Sequence, residues 1–303
     1  MTENIAVISE GPYSGESEEV SCPICPIPPK PVLIYRRHNG VGIWQCPDCQ
    51  VMYASPRFTE KALMQIYETP GFVPVDKLNK YKNWNYENWR DSGDETYVVT
   101  RLKRQKVLDY LGAGQRFLDV GCGIGLFVAE ARQHGLQAEG LEPSRMLSKI
   151  ARDCIGLELH NSMLEDFRTG HLYSGIGIWD VLEHVYDPLR ILRRCTELSE
   201  EGAYLFLSVP NFAGLADRLQ TFLHRHRFRN KNFKHFGFPW HIYSYNRHSL
   251  KALLQRAGFT PLEFFSNSHQ IRYGLANPFT TYLEPVISRL CLAANISCIA
   301  RKI

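Results

Sequence analysis

The chain lacks the features that would place it in a membrane or against a strongly charged partner. No uncharged apolar run reaches the roughly 18 to 20 residues that a membrane-spanning helix requires. The N-terminus shows no basic segment followed by an apolar one, so we expect no signal peptide. A net charge of +4 over 303 residues is too small to indicate a nucleic-acid partner by itself. We therefore expect a soluble, cytoplasmic protein with no transmembrane segment.

The composition is that of an ordinary globular protein. Hydrophobic residues make up 44% of the chain and charged residues 22%. A length of 303 residues suffices for one large domain and a small one. The first twenty residues contain five glutamates and neither lysine nor arginine. We interpret residues 1–20 as a mostly disordered acidic tail.

Four of the nine cysteines form two Cys-x-x-Cys pairs with twenty residues between them: Cys22, Cys25, Cys46 and Cys49. In a cytosolic chain this spacing favours a metal over disulfides. Each tight turn directs its two sulfurs the same way, so all four can reach one tetrahedral ion. Because all four positions are filled by protein ligands, we predict a structural Zn²⁺ in a zinc ribbon over residues 21–55. Reduced core cysteines are the alternative.

A glycine-rich turn follows an apolar strand in the middle of the chain. The strand ends at Val120, the glycines are Gly121, Gly123 and Gly125, and an amphipathic helix comes next. Glycine permits positive φ and lets a ligand lie directly against the backbone. The next strand ends at Glu142, whose carboxylate can accept both hydroxyls of a ribose. A dinucleotide-binding turn would have its third glycine at position 126, so the pattern fits an adenosine ligand without a pyrophosphate.

This pattern resembles the class I S-adenosylmethionine-dependent methyltransferases. The resemblance implies an α/β fold with a seven-stranded, Rossmann-like sheet. Alternation of apolar segments predicts strands near 116–120, 137–142, 157–160, 176–180, 203–209, 260–265 and 297–301, and helices at 95–111, 247–257 and 282–293. We expect the methyltransferase domain at 101–303 and a helical linker at 56–100. Residues 70–95 are either a lid over the substrate or a loop anchored by its aromatic residues.

The resemblance also implies which residues contact S-adenosylmethionine. Asp119 would position the glycine loop and the methionine end of the cofactor, although a turn-capping role is the alternative. Glu142 would bind the ribose, and Trp179 would lie against the cofactor. Ser162 stands where related enzymes commonly carry an acid, so adenine recognition would fall to the backbone at Met163.

The segment from Trp179 to Val185 is similar to the ubiquinone-biosynthesis O-methyltransferases and implies a substrate wall there. His184 is a candidate general base or ligand of a substrate oxygen, or it helps to cap a short helix. His241 and Tyr243 recur in similar form in sugar and small-molecule methyltransferases. We predict His241 first as base or oxyanion partner, with His184 and Tyr243 as further catalytic candidates. A core histidine beneath a helix is the alternative for His241.

The acceptor is less well defined than the cofactor. The cysteine pairs and the segment 49–57 after them resemble bacterial methyltransferases with a zinc module, including C-methyltransferases of nucleotide-linked keto sugars. We expect C- or O-methylation of a small molecule, a sugar or nucleotide-linked sugar. The basic segment 218–235 could clamp its phosphates, contact RNA or an anionic membrane, or simply be a solvated loop. An RNA methyltransferase and a non-catalytic, cofactor-binding interaction protein remain alternatives, but we expect no nucleic-acid partner.

Overall fold

The computed structural model describes residues 6–10, 13–37, 39–67, 95–215, 217–219, 222, 236–266 and 285–303. The expected lid lies outside these residues except at its last position, and most of the basic segment 218–235 also lies outside them. Over the described residues, no helix is both long enough and apolar enough to cross a bilayer.

Thirteen strands occur within the described residues: β1 (Ala6–Glu10), β2 (Tyr13–Glu18), β3 (Val32–Arg36), β4 (Gly42–Gln45), β5 (Met52–Ser55), β6 (Arg57–Phe58), β7 (Arg116–Val120), β8 (Gln137–Leu141), β9 (Tyr173–Trp179), β10 (Ser199–Pro210), β11 (Tyr243–Ser244), β12 (Phe259–Phe265) and β13 (Asn295–Lys302). The α-helices in the same residues are α1 (Glu60–Tyr67), α2 (Glu95–Leu108), α3 (Leu126–Gln133), α4 (Arg145–Ile150), α5 (Pro188–Leu198) and α6 (Arg247–Arg256). Of the helix expected at 282–293, residues 285–289 are helical.

A six-stranded sheet in the order β12-β13-β10-β9-β7-β8 forms the centre of the molecule. The four strands from β10 to β8 are parallel, and β13 and β12 complete the sheet in antiparallel pairing. The carboxyl ends of the four parallel strands therefore meet at one edge, where ligands bind in open α/β sheets. The α/β fold predicted from the sequence is confirmed, with one strand fewer than expected.

The missing strand is the one expected at 157–160. Only His160 takes part, in a single parallel bridge with Leu141 of β8. The pairing ends there because the chain turns, and the Ser162 N–H donates to the His160 carbonyl. At this edge Glu139 of β8 accepts hydrogen bonds from the rings of His160 (2.7 Å) and His171 (2.8 Å).

Local sequence signals place the helices around the sheet. Helix α5 begins after Asp187, whose carboxylate accepts a hydrogen bond from the Arg190 N–H at 2.9 Å. Helix α6 begins with a reciprocal capping box between Asn246 and Ser249. Both helices bury their apolar faces in the cluster that also covers one side of the central sheet.

The first residues of the chain are not the tail that their composition suggested. Strands β1 and β2 form an antiparallel hairpin, and β2 pairs with β6. Ile8 is buried, Tyr13 contacts Trp240 with 5.2 Å between ring centroids, and Glu18 forms an ion pair with Arg57. The expected disorder at 1–20 is therefore wrong for residues 6–10 and 13–18. These few apolar and charged contacts are long-range, which a count of glutamates does not reveal.

The cysteine module and the central sheet share one core. A four-stranded sheet has the order β11-β5-β4-β3. Strands β3 to β5 belong to the cysteine module, and β11, which follows β10 along the chain, pairs with β5. Val51 and Tyr53 of the module lie in one hydrophobic cluster with Tyr243 and Tyr245. The ranges 21–55 and 101–303 thus do not form separate packing units, because a segment this short buries too little apolar surface alone.

We predict that Phe117→Ala lowers the free energy of unfolding by about 3–5 kcal/mol, as expected for a large buried side chain. Phe117 is 0% exposed, and its ring centroid lies 5.3 Å from that of Phe127 and 6.0 Å from that of Phe206. Urea denaturation measures the change. Leu262→Ala, at a side chain 50% exposed on β12, is the control and should change stability by less than about 0.5 kcal/mol. Equal losses in both variants would contradict the packing described.

Candidate active site

The glycine loop between β7 and α3 adopts a backbone that favours glycine. Gly121, Gly123 and Gly125 have φ values of 70°, 60° and 79°. A Cβ on Gly121 would lie 2.5 Å from a methyl carbon of Val181, whereas a Cβ on Gly123 would meet no atom within 4 Å. Gly121 therefore permits close packing against the segment after β9. Gly123 leaves its side of the loop accessible to a ligand.

Glu142 joins the end of β8 to this loop. One carboxylate oxygen accepts the Gly123 N–H at 2.9 Å, and the other accepts the Ser144 N–H at 2.8 Å. The Asn161 amide donates to the Glu142 carbonyl at 2.9 Å and fixes the backbone beneath it. Burial raises the pKa of Glu142, and the two backbone hydrogen bonds oppose that rise. Each oxygen retains a lone pair, so the carboxylate can also accept ligand hydroxyls.

Asp119, the residue before Val120 in β7, is a buried acid beside the loop. Its side chain is 2% exposed, and within the described part of the chain its Oδ1 has no hydrogen-bond partner. Burial raises the pKa of Asp119 to about 7, while Lys103 opposes the rise and Glu142 adds to it. A buried carboxylate oxygen of this kind suits a charged donor, such as the amino group of a methionine moiety. The residues present therefore fit the expected cofactor.

The remaining predicted cofactor contacts lie on either side of the loop. The Trp179 ring is 5.8 Å from that of Phe127, and the Lys103 ammonium lies 4.9 Å from the Trp179 centroid. The Ser162 hydroxyl donates to the Met163 carbonyl at 2.9 Å in the turn that follows His160. The cation above Trp179 was not foreseen, since Lys103 lies on a helix outside the recognisable motifs.

The rings of the two predicted histidines are in edge-to-face contact. The rings of His184 and His241 lie 4.8 Å apart at an interplanar angle of 74°. One polar side-chain atom each from Glu183, His184 and His241 lies within 4.8 Å of the others. Nδ1 of His184 lies 2.8 Å from the Trp240 carbonyl, which can only accept. This contact places a proton on Nδ1 and, in the neutral ring, leaves Nε2 as the acceptor.

Both imidazoles are neutral near pH 7. Burial lowers the pKa of His184, and the Trp240 carbonyl and Asp180 oppose this change. Burial and the neighbouring His184 lower the pKa of His241 to about 4, with Asp180 opposing. Asp180 itself has a φ of 55°, and its N–H donates to the Ser208 carbonyl at the end of β10. A neutral imidazole can accept a proton from a bound acceptor.

Tyr243 does not join this pair. Its hydroxyl accepts a hydrogen bond from Arg57 at 2.7 Å and donates to the Tyr186 carbonyl at 3.1 Å. Burial raises the pKa of Tyr243 to about 12. These two hydrogen bonds hold the hydroxyl against Arg57 and Tyr186. Arg57, buried and charged, was not predicted to have any role.

A cleft of about 360 Å³ lies beside the same strand ends. Its lining includes Trp179, Asp180, Ser208, Lys103 and Asn295. Neither the glycine loop nor the histidine pair lines it. The cleft therefore adjoins the candidate site but is not the loop's ligand surface.

The four cysteines form a compact cluster. Sγ of Cys22 lies 3.4 Å from Sγ of Cys49, Sγ of Cys25 lies 3.8 Å from Sγ of Cys46, and all four sulfurs lie within 4.8 Å of one another. A tetrahedral ion with bonds of about 2.3 Å requires sulfur separations of about 3.8 Å. The N–H groups of Ile24 and Cys25 donate to Cys22 Sγ at 3.4 Å, as suits a thiolate. The donor set therefore fits zinc.

Comparisons with known proteins agree with this geometry. A family model described as "Methyltransferase domain" matches residues 94–263. The chain is similar to the ubiquinone biosynthesis O-methyltransferase of Xanthomonas campestris pv. campestris, at 34% identity over 119 residues, 34% of this chain and 48% of the relative. It is also similar to the enzyme of that name from Vibrio cholerae serotype O1, at 27% identity over 150 residues, 46% of this chain and 61% of the relative. The chain thus spans roughly half the length of these curated relatives.

Among solved structures, the crystal structure of magnesium protoporphyrin IX methyltransferase from Synechocystis PCC 6803 with bound S-adenosylhomocysteine is similar in fold. The TM-score is 0.51 at 14% identity, covering 81% of this chain and 100% of that one. At this identity the likeness shows the fold alone.

We predict that Asp119→Asn makes the protein more stable than the wild type at pH 8 but not at pH 4. A raised pKa means that folding favours the protonated carboxyl. That contribution is complete below the ordinary value of 3.8 and is lost as the pH rises through about 7. The difference at pH 8 is at most about 4 kcal/mol and is measured by urea denaturation. Parallel pH profiles for the two proteins would contradict the buried, protonated state.

Proposed function

The chain belongs to the class I S-adenosylmethionine-dependent methyltransferase family, and on that premise we propose that it methylates a small-molecule acceptor. The observation that carries the proposal is the contact between Gly121 and Val181. It brings the glycine loop next to the segment that bears His184. A cofactor surface and an acceptor surface therefore adjoin at one edge of the sheet.

On the cofactor side, Asp119 would bind the amino group and Glu142 the ribose hydroxyls, with Trp179 against the cofactor and Ser162 and Met163 near the adenine. S-adenosylmethionine supplies an already activated methyl group on its sulfonium. The protein therefore needs mainly to hold the reactants in line and to exclude water. Val181 packs against Gly121 on the side of the loop that would face the acceptor.

On the acceptor side, His241 and His184 would remove or hold the proton that the acceptor loses. The neutral state of both rings supports this role, and Nε2 of His184, which lies 3.9 Å from Oε1 of Glu183, is the acceptor nitrogen. Because burial makes these rings weak bases, proton transfer would accompany methyl transfer rather than precede it for a hydroxyl acceptor. Tyr243, whose hydroxyl is bonded to Arg57, is not proposed as a catalytic residue.

We propose a sugar or nucleotide-linked sugar as the acceptor, methylated on carbon or oxygen. The support is the resemblance of the cysteine module and the segment after it to sugar C-methyltransferases. The similar ubiquinone biosynthesis O-methyltransferases also support a small-molecule acceptor and O-methylation. We further propose that the four cysteines hold one structural zinc ion, supported by the spacing of their sulfurs.

The function is tested by methyl transfer from S-adenosylmethionine carrying a radiolabelled methyl group into fractionated cell extract. We expect label in the small-molecule fraction, and the labelled product identifies the acceptor. His241→Gln and His184→Gln should retain cofactor binding but lower transfer about 10²–10⁴-fold, the usual contribution of general base catalysis. Glu142→Ala should lose both cofactor binding and transfer.

His171→Gln is the matched control, because this ring bonds to Glu139 and Thr169 at the edge of the sheet. It should leave transfer unchanged. Label that enters only RNA would favour an RNA methyltransferase. Cofactor binding without transfer to any fraction would favour a non-catalytic protein. Full transfer by both histidine variants would remove the catalytic assignments.

The metal proposal predicts about one zinc ion per chain by elemental analysis, since four thiolates complete a tetrahedral site. Cys46→Ser should lower the zinc content and the melting temperature together, because metal binding to the folded state is linked to stability. Cys154→Ser, at a half-buried cysteine outside the cluster, is the control and should keep its zinc. Less than about half an ion per chain in the wild type would contradict the site.

A further inference from the structure

The backbone next to His241 is held from two sides. On one side the N–H groups of Ile242 and Tyr243 donate to the Glu183 carbonyl, at 2.9 and 3.3 Å. Glu183 immediately precedes His184. On the other side the Ala54 N–H donates to the Ile242 carbonyl at 3.1 Å, and Tyr243 of β11 pairs with Tyr53 of β5. The position of His241 relative to His184 thus depends on β5, a strand of the cysteine module.

Strand β5 continues directly from the second cysteine turn. That turn is closed by hydrogen bonds from the Cys46 N–H to the Val51 carbonyl (3.0 Å) and from the Gln50 N–H to the Cys46 carbonyl (2.9 Å). The Gln50 side chain accepts a hydrogen bond from the Asn246 amide at 2.9 Å. The turn that carries two of the zinc ligands is therefore linked both to β11 and to the start of α6.

Arg57 of β6, two residues after the end of β5, forms a second link to this segment. The side chain is 7% exposed, and its guanidinium donates to Glu18 at 2.8 Å and to the Tyr243 hydroxyl at 2.7 Å. It also lies 4.2 Å from the centroid of the Tyr186 ring. Planar donors and stacking of this kind require arginine and fix the orientation of Tyr243.

The cofactor side has no such link among the described residues. There Glu142 and the loop from Gly121 to Gly125 form hydrogen bonds with residues between 121 and 161. The cofactor and acceptor surfaces adjoin but are supported separately. A change in the module should therefore affect one surface and not the other.

We propose that the four-cysteine module is a positioning element for the acceptor side of the active site. The thiolates fix the second cysteine turn, the turn fixes β5, and β5 fixes the β11 segment that holds His241 against His184. Arg57 and Gln50 are positioning residues that act through this segment. The inference rests on the proposed zinc site and on the proposed role of the histidine pair.

The test uses the full-length, zinc-loaded protein with isotope-labelled histidine. NMR titration reports the pKa of His241, and calorimetry reports the affinity for S-adenosylmethionine. In Arg57→Met the β11 segment is held less firmly, so the imidazole of His241 becomes more exposed to solvent. Its pKa should rise from about 4 toward the ordinary value of 6.5. Gln50→Ala gives a smaller rise in the same direction. The charged or titratable groups around His241 are Asp180, Glu183 and His184. Neither variant changes any of these three residues.

Cofactor affinity should change less than about twofold in both variants. Arg36→Met is the matched control, since Arg36 bonds to Gly40 at the exposed outer strand of the module and should leave both measurements unchanged. An unchanged His241 titration in folded Arg57→Met and Gln50→Ala overturns the proposal, as does an equal loss of cofactor affinity. If Arg57→Met does not fold, Gln50→Ala decides, because it removes one side-chain hydrogen bond. A wild type that binds no S-adenosylmethionine contradicts the proposed function but leaves the histidine readout valid.

Discussion

The hydrogen bond from the Gly123 N–H to the Glu142 carboxylate is the contact on which the cofactor side of the site depends. It connects two loops that follow neighbouring parallel strands, and it can form only because the glycine backbone takes positive φ. With the loop held there, Gly121 meets Val181 and the segment after β9 is placed beside it. The parallel order of the strands brings these three segments to one edge. One carboxylate therefore joins the loops that follow β7 and β8, and the acceptor segment packs beside them.

Burial sets the charge state of this region. Asp119 and Glu142 lie close together out of water, and the pKa of each is raised by burial. The histidines respond in the opposite direction, since burial disfavours their charged form. Burial thus favours the neutral form of both the acids and the imidazoles, and a bound cation would favour the ionised form of the acids. Such an arrangement separates a surface that attracts positive charge from one that can receive a proton.

Short-range patterns in the sequence locate the glycine turn and the cysteine cluster, whereas long-range contacts cannot be found in this way. The glycine turn, Glu142 after the next strand and the two cysteine pairs each depend on a few neighbouring residues, whose spacing carries the chemistry. The hydrogen bond between the Tyr243 hydroxyl and Arg57 could not be predicted, because the two residues are 186 positions apart along the chain. The hairpin in the first residues was missed because the contacts that hold it to the protein, with Arg57 and Trp240, are also distant along the chain. The expected third strand is limited to one bridge because a turn follows at Ser162, which apolar alternation does not register.

The edge of the central sheet at β8 has a consequence for how copies of the protein meet. Among the described residues a single bridge covers the outer side of this strand, so its other outward backbone groups have no strand partner there. Glu139 lies on this strand, and although burial opposes the change, hydrogen bonds from His160 and His171 lower its pKa. The ionised carboxylate of Glu139, hydrogen-bonded to two imidazoles, would have to lose its water before a strand of a second copy could pair with β8. Charged side chains at a sheet edge are one way in which proteins disfavour pairing between copies.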